Sequence, residues 1–255
     1  MVDPVLAAGA FVVLVLAIAL ARWYAAWSRY DAVRRTPTLS VAEIRRRLES
    51  AGSVVAEVVG QVGADPGREL TAPFSGRSAV WWHTCVVRHY WHYDSNHDRD
   101  HGPTRTRRTS VAAEKASQAP LLVTDGTGTV RVLLEGARMV IDGLSHDDFE
   151  EGTARADALG IVTPPGSGHI GYGFQERLIR AGEQVCVLGE ITRENGELLV
   201  RAPEAEHFLV SNTSSQRLED ELRGAHWQAA AIVVLVLVFA AITVLVVMNA
   251  PLTPA

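Results

Sequence analysis

The sequence predicts a mainly β protein: a small β-barrel or sandwich-like domain with one short N-terminal helix, flanked by two transmembrane helices. Three observations lead there. Two uncharged apolar runs lie near the ends of the 255-residue chain, Val5–Ala21 and Ala229–Met248. Between them come several short β-branched segments separated by Gly- and Asn-containing turn signals. Just after the first run, "TLSVAEIRRRLESAG" carries the marks of a single capped helix.

The apolar runs come first. A bilayer's hydrocarbon core is roughly 30 Å thick and takes about 20 apolar helical residues to cross. The second run meets this alone, as a span over 229–248. The first meets it over 5–26 if Arg22 extends its head to the interface. Trp23, Tyr24 and Trp27 follow the first run and Trp227 precedes the second, where interfacial aromatic anchors belong. A cleaved signal peptide would begin with a basic region, whereas the only charge before the first run is Asp3. Arg22, Arg29, Arg34 and Arg35 follow the first span, and Arg217 and Arg223 precede the second. The positive-inside rule therefore puts the intervening residues in the cytoplasm and both ends, 1–4 and 249–255, outside. The bilayer is the expected partner, together with another membrane or membrane-surface protein.

In the juxtamembrane segment 27–52, Ser40 and Glu43 form a capping box, and Leu39 can staple onto Ile44. Gly52 is placed as the stop residue. Strands follow across 53–212: "SVVAEVVGQV", the long aromatic "AVWWHTCVVRHYWHY", and "LLVTDGTGTVRVLLEGA" as a hairpin turning at Asp125-Gly126-Thr127-Gly128. "EQVCVLGEITRENGELLVRA" is a second hairpin turning at Asn195-Gly196, and a short "HFLV" strand leads to a linker over 213–228. The polar, Gly- and Pro-rich stretch 143–173 reads as a loop excursion from the sheet.

Composition limits the function. A net charge of −5 gives no nucleic-acid signal, and two cysteines make neither a disulfide scaffold nor a four-cysteine zinc site. Arginine outnumbers lysine 23 to 1, as in GC-rich prokaryotic genomes, so the expected location is a prokaryotic plasma membrane. The stretch Ser75–His101 concentrates chemistry, with five of nine histidines and three of six tryptophans. On a strand, His83, Cys85, Val87, His89, Trp91 and Tyr93 share one face; Trp82, Thr84, Val86, Arg88, Tyr90 and His92 share the other. His83 and Cys85 have a spacing that suits zinc, but tetrahedral zinc needs three or four ligands and Cys186 is distant in sequence. No metal or other cofactor is expected, no catalytic set declares itself, and His83, Cys85, His89, Trp91 and His92 are the candidate binding residues. The rival is a metal-dependent hydrolase built on the same strand, which turns on whether Cys186 lies beside Cys85. The loop with Asp94, His97, Asp98, Asp100 and His101, and "RTRR" (105–108) after it, read as solvated loop. "GSGHIG" (166–171) has the spelling of a dinucleotide loop but lacks the preceding strand and following helix.

Taken in order, these elements resemble the GIDE, or beside-a-membrane, domain that lies between the two spans of mitochondrial membrane-anchored ubiquitin ligases. The most specific matches are Pro120 with Asp125, Gly126 and Gly128, then Glu176, Gly182, Glu183 and Gly189, and "FLVS" before the second span. In those ligases a RING domain with eight Cys or His ligands follows the second span, and the β domain lies on the non-cytosolic side. Here "NAPLTPA" follows Met248. The expectation is a GIDE-like module without the RING, non-catalytic, acting by interaction or scaffolding at the membrane surface, where the resemblance by itself would imply ubiquitin ligase activity.

Overall fold

The computed structural model describes residues 4–67, 69–93, 105–164, 168–203, 208–213 and 215–249. It divides into two compact units, one made of the terminal helices and one spanning Thr38–Thr213.

In the helical unit, α1 (Pro4–Arg35) and α4 (Ser215–Asn249) pack on each other. Among the described residues, Arg223–Ile242 is long and apolar enough to cross a membrane, while the apolar stretch Val13–Ser28 of α1 is shorter. The expected pair of spans is thus met for one helix by length and composition. Apolar side chains on α4, such as Leu235 and Phe239, are 70% and 67% exposed, a surface that water does not favour.

The β unit begins with α2 (Val41–Arg47). Its first three N–H groups are all capped, by Asp125, by Thr127 Oγ1 and by Ser40 Oγ. Gly52 does not stop the helix. It ends at Arg47 because the N–H groups of Glu49, Ser50 and Ala51 fold back onto the Arg46 and Arg47 carbonyls in a tight last turn. The chain then enters β1 (Ser53–Ala64).

Five strands close into a barrel. These are β1, β6 (Leu121–Thr124), β7 (Thr129–Val132), β12 (Glu197–Arg201) and β11 (Gln184–Glu194), with β11 pairing back onto β1. All pairs are antiparallel except β7 with β12. Such a five-stranded Greek-key closure is the arrangement of an OB-fold barrel. Both expected hairpins are present, and Asn195 and Gly196 take the positive φ of 51° and 85° that a two-residue I′ turn requires. β13 (Leu209–Ser211) and then β8 (Arg138–Val140) extend the sheet beyond β11. The interior is aliphatic: Val58, Val62, Val123, Ile191 and Val200 are fully or almost fully buried, and Val41 and Ile44 of α2 join the same cluster.

A separate four-stranded antiparallel sheet has the order β5 (Arg105–Ala116), β4 (Trp81–Tyr93), β10 (His169–Ile179), β9 (His146–Glu150). A two-stranded ribbon, β2 (Leu70–Thr71) with β3 (Ser78–Ala79), precedes it in the chain. Two sequence expectations are corrected here. The stretch 143–173 is not an excursion, since it contains β9, the short α3 (Ala154–Ala158) and the start of β10. "RTRR" is not loop but the first turn of register in β5, opposite Tyr90–Tyr93. Asp94, His97, Asp98, Asp100 and His101 lie outside the described residues, as does part of "GSGHIG".

Candidate functional site

The four-stranded sheet has two unlike faces. On the covered face, Val86, Tyr172 and Phe174 pack with Ala156, Phe74 and Ile161, and the Arg155 guanidinium lies 4.2 Å from the Phe174 ring centroid. Glu176 on this face is fully buried, yet its carboxylate accepts the N–H groups of Phe74 and Ser75 and the Ser75 hydroxyl. A buried carboxylate needs such donors. Glu176 therefore ties down the "PFSGR" turn that leads into β4.

The open face carries His83, Cys85, Val87, His89, Trp91 and Tyr93, as strand alternation predicts. The bulges flanking it fall on β5 and β10, so the alternation along β4 is uninterrupted. His83 stacks on Trp81 with ring centroids 6.1 Å apart, and its Nε2 lies 2.7 Å from Glu114 Oε1 on β5. Burial pushes the Cys85 thiol above its usual range and the Glu114 charge adds to this, so the thiol stays protonated at neutral pH. Arg107 donates to His89 Nδ1 at 3.2 Å, and the Phe149 ring meets the His89 ring edge-on at 5.3 Å. Burial holds the His89 imidazole below its usual range, and the Arg107 charge reinforces this. Arg105 lies over Trp91 at 4.6 Å.

Glycines make this arrangement possible. A Cβ on Gly171 would lie 2.6 Å from the Phe149 ring, and one on Gly173 3.4 Å from His89 Nε2. Without side chains there, Phe149 can lean across β10 towards β4. The outcome is a bare surface on which Val111, Phe149 and Tyr93 are 60%, 42% and 57% exposed, interleaved with arginines.

Four of the five candidate residues are therefore brought to one face. His92 is not: it pairs with Thr106 on the opposite face and is exposed. Arg105, Arg107 and Phe149 were missed by sequence reasoning. A signal for the arginines existed, since odd positions along "RTRR" fall on the Trp91 side once the segment is taken as a strand. Cys186 is in β11 of the barrel, where its thiol donates to Glu57 Oε1 at 2.7 Å, while Cys85 is in the other sheet, and the two do not form a disulfide. Among the described residues no group of three or more His, Cys, Asp or Glu is arranged to hold a metal.

Trp23, Tyr24, Trp27 and Trp227, expected as interfacial anchors, lie in the helical unit. Tyr24, Trp27 and Trp227 are exposed, Tyr24 contacts Trp27 at 5.9 Å, and Trp23 packs beside His226 at 6.0 Å. His226 also stacks with Tyr30.

The residues carrying the resemblance are structural. Asp125 binds the N–H groups of Val41, Thr127 and Gly128. Partial burial works against its charged form, but those hydrogen bonds win and hold the carboxyl below its ordinary range. Gly126 has φ +84°, and a Cβ on Gly128 would meet Val41 Cγ1 at 2.6 Å, so the turn can dock on α2 only without side chains. Gly189 admits Phe208 and Val200 at similar distances. Gly182 turns β10 into β11, and there Gly182 and Glu183 bond through their main chains to Val62. Pro120 sits at the entrance to β6.

These features define a closed β-barrel domain bearing a second, one-sided sheet. The GIDE family model, described as E3 ubiquitin ligase, matches residues 90–247, and the chain belongs to that family. The match starts within β4 and so excludes α1, β1 and His83–His89, a shorter reach than the near-complete resemblance read from the sequence. No curated protein and no solved structure matches the chain.

Proposed function

We propose that the protein is a membrane-anchored, non-catalytic interaction module that presents the open face of the four-stranded sheet to another membrane or membrane-surface protein. The observation that carries this is the combination of Val111, Phe149 and Tyr93, all well exposed, with Arg105 over Trp91 and Arg107 against His89. Aromatic and arginine side chains in contact are the composition of binding hot spots. Rings already locked by neighbours lose little conformational freedom on binding. His83 and Cys85 continue this surface towards the barrel, and His92 does not belong to it.

In this reading both α1 and α4 cross a prokaryotic plasma membrane, with Trp23, Tyr24, Trp27 and Trp227 at its interfaces and the β unit in the cytoplasm. Tethering at both ends raises the effective concentration of the β unit towards membrane partners. The arginine-rich inner flanks support the orientation. A periplasm-active reporter fused after Ala255 is expected to function; function of a cytoplasm-only reporter there would reverse it.

The functional test is affinity purification of the full chain from membranes, comparing the native protein with Trp91→Ala and Arg107→Glu. The variants are expected to lose partners that the native chain retains, and unchanged partner sets would end the reading. Deleting 75–101 would be uninformative because it removes β4, a central strand. A second reading follows from the family's description as E3 ubiquitin ligase. There the β unit presents substrate, and the zinc-bearing module that engages a conjugating enzyme comes from another segment or polypeptide. Ubiquitin transfer by the purified 255-residue chain with activating and conjugating enzymes alone would favour a catalytic role.

A further inference from the structure

At the barrel end of the open face lies a groove of about 500 Å³ between the two sheets. Its lining includes the almost fully buried Trp81 and Leu134, the half-buried Met139 and Ile141, and, from the four-stranded sheet, His83, Glu114 and Arg177. The barrel side is β8, which ends the seven-stranded order and, among the described residues, pairs with β13 alone, in parallel. Arg138 donates its N–H to Phe208 O at 2.9 Å. Main-chain groups in a parallel ladder alternate between neighbours, so Met139 and Ile141 turn theirs away from β13, on the free edge. An edge of this kind is a template for another strand.

Charge narrows what can lie there. Arg138 and Arg177 both line the groove, and neither guanidinium has an ion pair or hydrogen bond among the described residues. The acidic side chain in the lining, Glu114, is engaged by His83. Two arginines without an ion-pair partner among the described residues, the partly exposed Met139 and Ile141, and an open strand edge thus converge.

We propose that this groove binds an extended peptide of alternating acidic and apolar residues, added as a strand to β8. Its main chain pairs with Met139 and Ile141. Its apolar side chains rest on Met139 and Ile141, and its carboxylates meet Arg138 and Arg177. This is strand addition with specificity supplied by alternate side chains. The inference rests on the interaction-module reading and names the chemistry of the partner segment.

The test uses the full chain in detergent micelles and fluorescently labelled acetyl-Asp-Leu-Asp-Leu-Asp-amide, read by anisotropy. Comparators are the same peptide with Lys for Asp, and the acidic peptide with alternate amides N-methylated. The unmodified acidic peptide is expected to bind and to slow amide exchange at Met139 and Ile141. Arg138→Glu and Arg177→Glu, at exposed or half-buried positions, should each weaken it by roughly tenfold without shifting the thermal midpoint, the size of one charge-assisted contact. Equal binding of the methylated peptide would overturn strand addition, leaving only a site for amphipathic anions. Equal binding of the lysine peptide, or no binding, would overturn the proposal altogether. If the peptide fails while Trp91→Ala still removes partners from membranes, the groove assignment alone falls; if neither has an effect, the module reading falls with it.

Discussion

The barrel and the four-stranded sheet solve the same problem differently. In the barrel every strand has neighbours on both sides, the interior is filled with Val, Ile and Leu, and the motif residues serve turns and close approaches. The sheet fills only one face and leaves aromatic and basic side chains on the other. A region whose residues are consumed by packing is hard to change without unfolding it. One whose polar and aromatic groups are held in place yet uncovered is free to meet a partner. The contrast locates packing stability in the barrel and in the covered face, and it is the open face to which the proposed recognition is assigned.

The largest expected effect is on the covered face. Phe174→Ala should cost about 3–5 kcal/mol in unfolding free energy, because it removes a fully buried ring and leaves a cavity. Next comes Gly189→Val in the barrel. Its Cβ alone would sit 2.9 Å from Arg201 O, so the strands must shift at a cost of roughly 1–3 kcal/mol, occasionally more. Denaturant titration of the full chain in micelles reads both, and if either variant matched the native protein, the packing assigned to it would be wrong.

Asp125→Ala should be milder, about 1 kcal/mol as for other helix-cap losses. It also has a pH signature. The folded carboxyl titrates below its ordinary value of 3.8, so its contribution is complete above that pH and disappears as the pH falls through the lower folded value. The native protein should show this acid-side loss and the variant should not. His89, also depressed, adds a shallow loss as the pH drops below 6.5. At the small end, Val111→Ser on the open face should change stability by no more than about 0.5 kcal/mol. A substantial loss there would mean that the face is structural after all.

The barrel's hairpins were legible because their turns are written in residues that only certain backbone angles accept, Asn195-Gly196 and Asp125-Gly128. The N-cap at Ser40 was legible for the same local reason, although the Glu43 carboxylate accepts from Arg47 and the helix closes on its own last turn and makes no use of Gly52. The second sheet was only half legible. β4 announced itself through its aromatic run, and strand alternation placed His83, Cys85, His89 and Trp91 together. β10 was hidden by Gly171 and Gly173, which look like loop residues and are in fact clearances for Phe149 and His89. β5 was hidden because it is an edge strand exposed along nearly all its length, so no hydrophobic period marks it. Glu176 read as a family signature, and only tertiary structure shows that it anchors the turn at Phe74 and Ser75.

The claim that recognition belongs to the open face is tested most directly by photo-crosslinking in intact membranes. A benzophenone side chain would replace Val111 on that face or the exposed Arg193 at the barrel's β11–β12 hairpin, one at a time. The account predicts a discrete partner adduct from position 111 and none from position 193; adducts from 193 with 111 silent would contradict it.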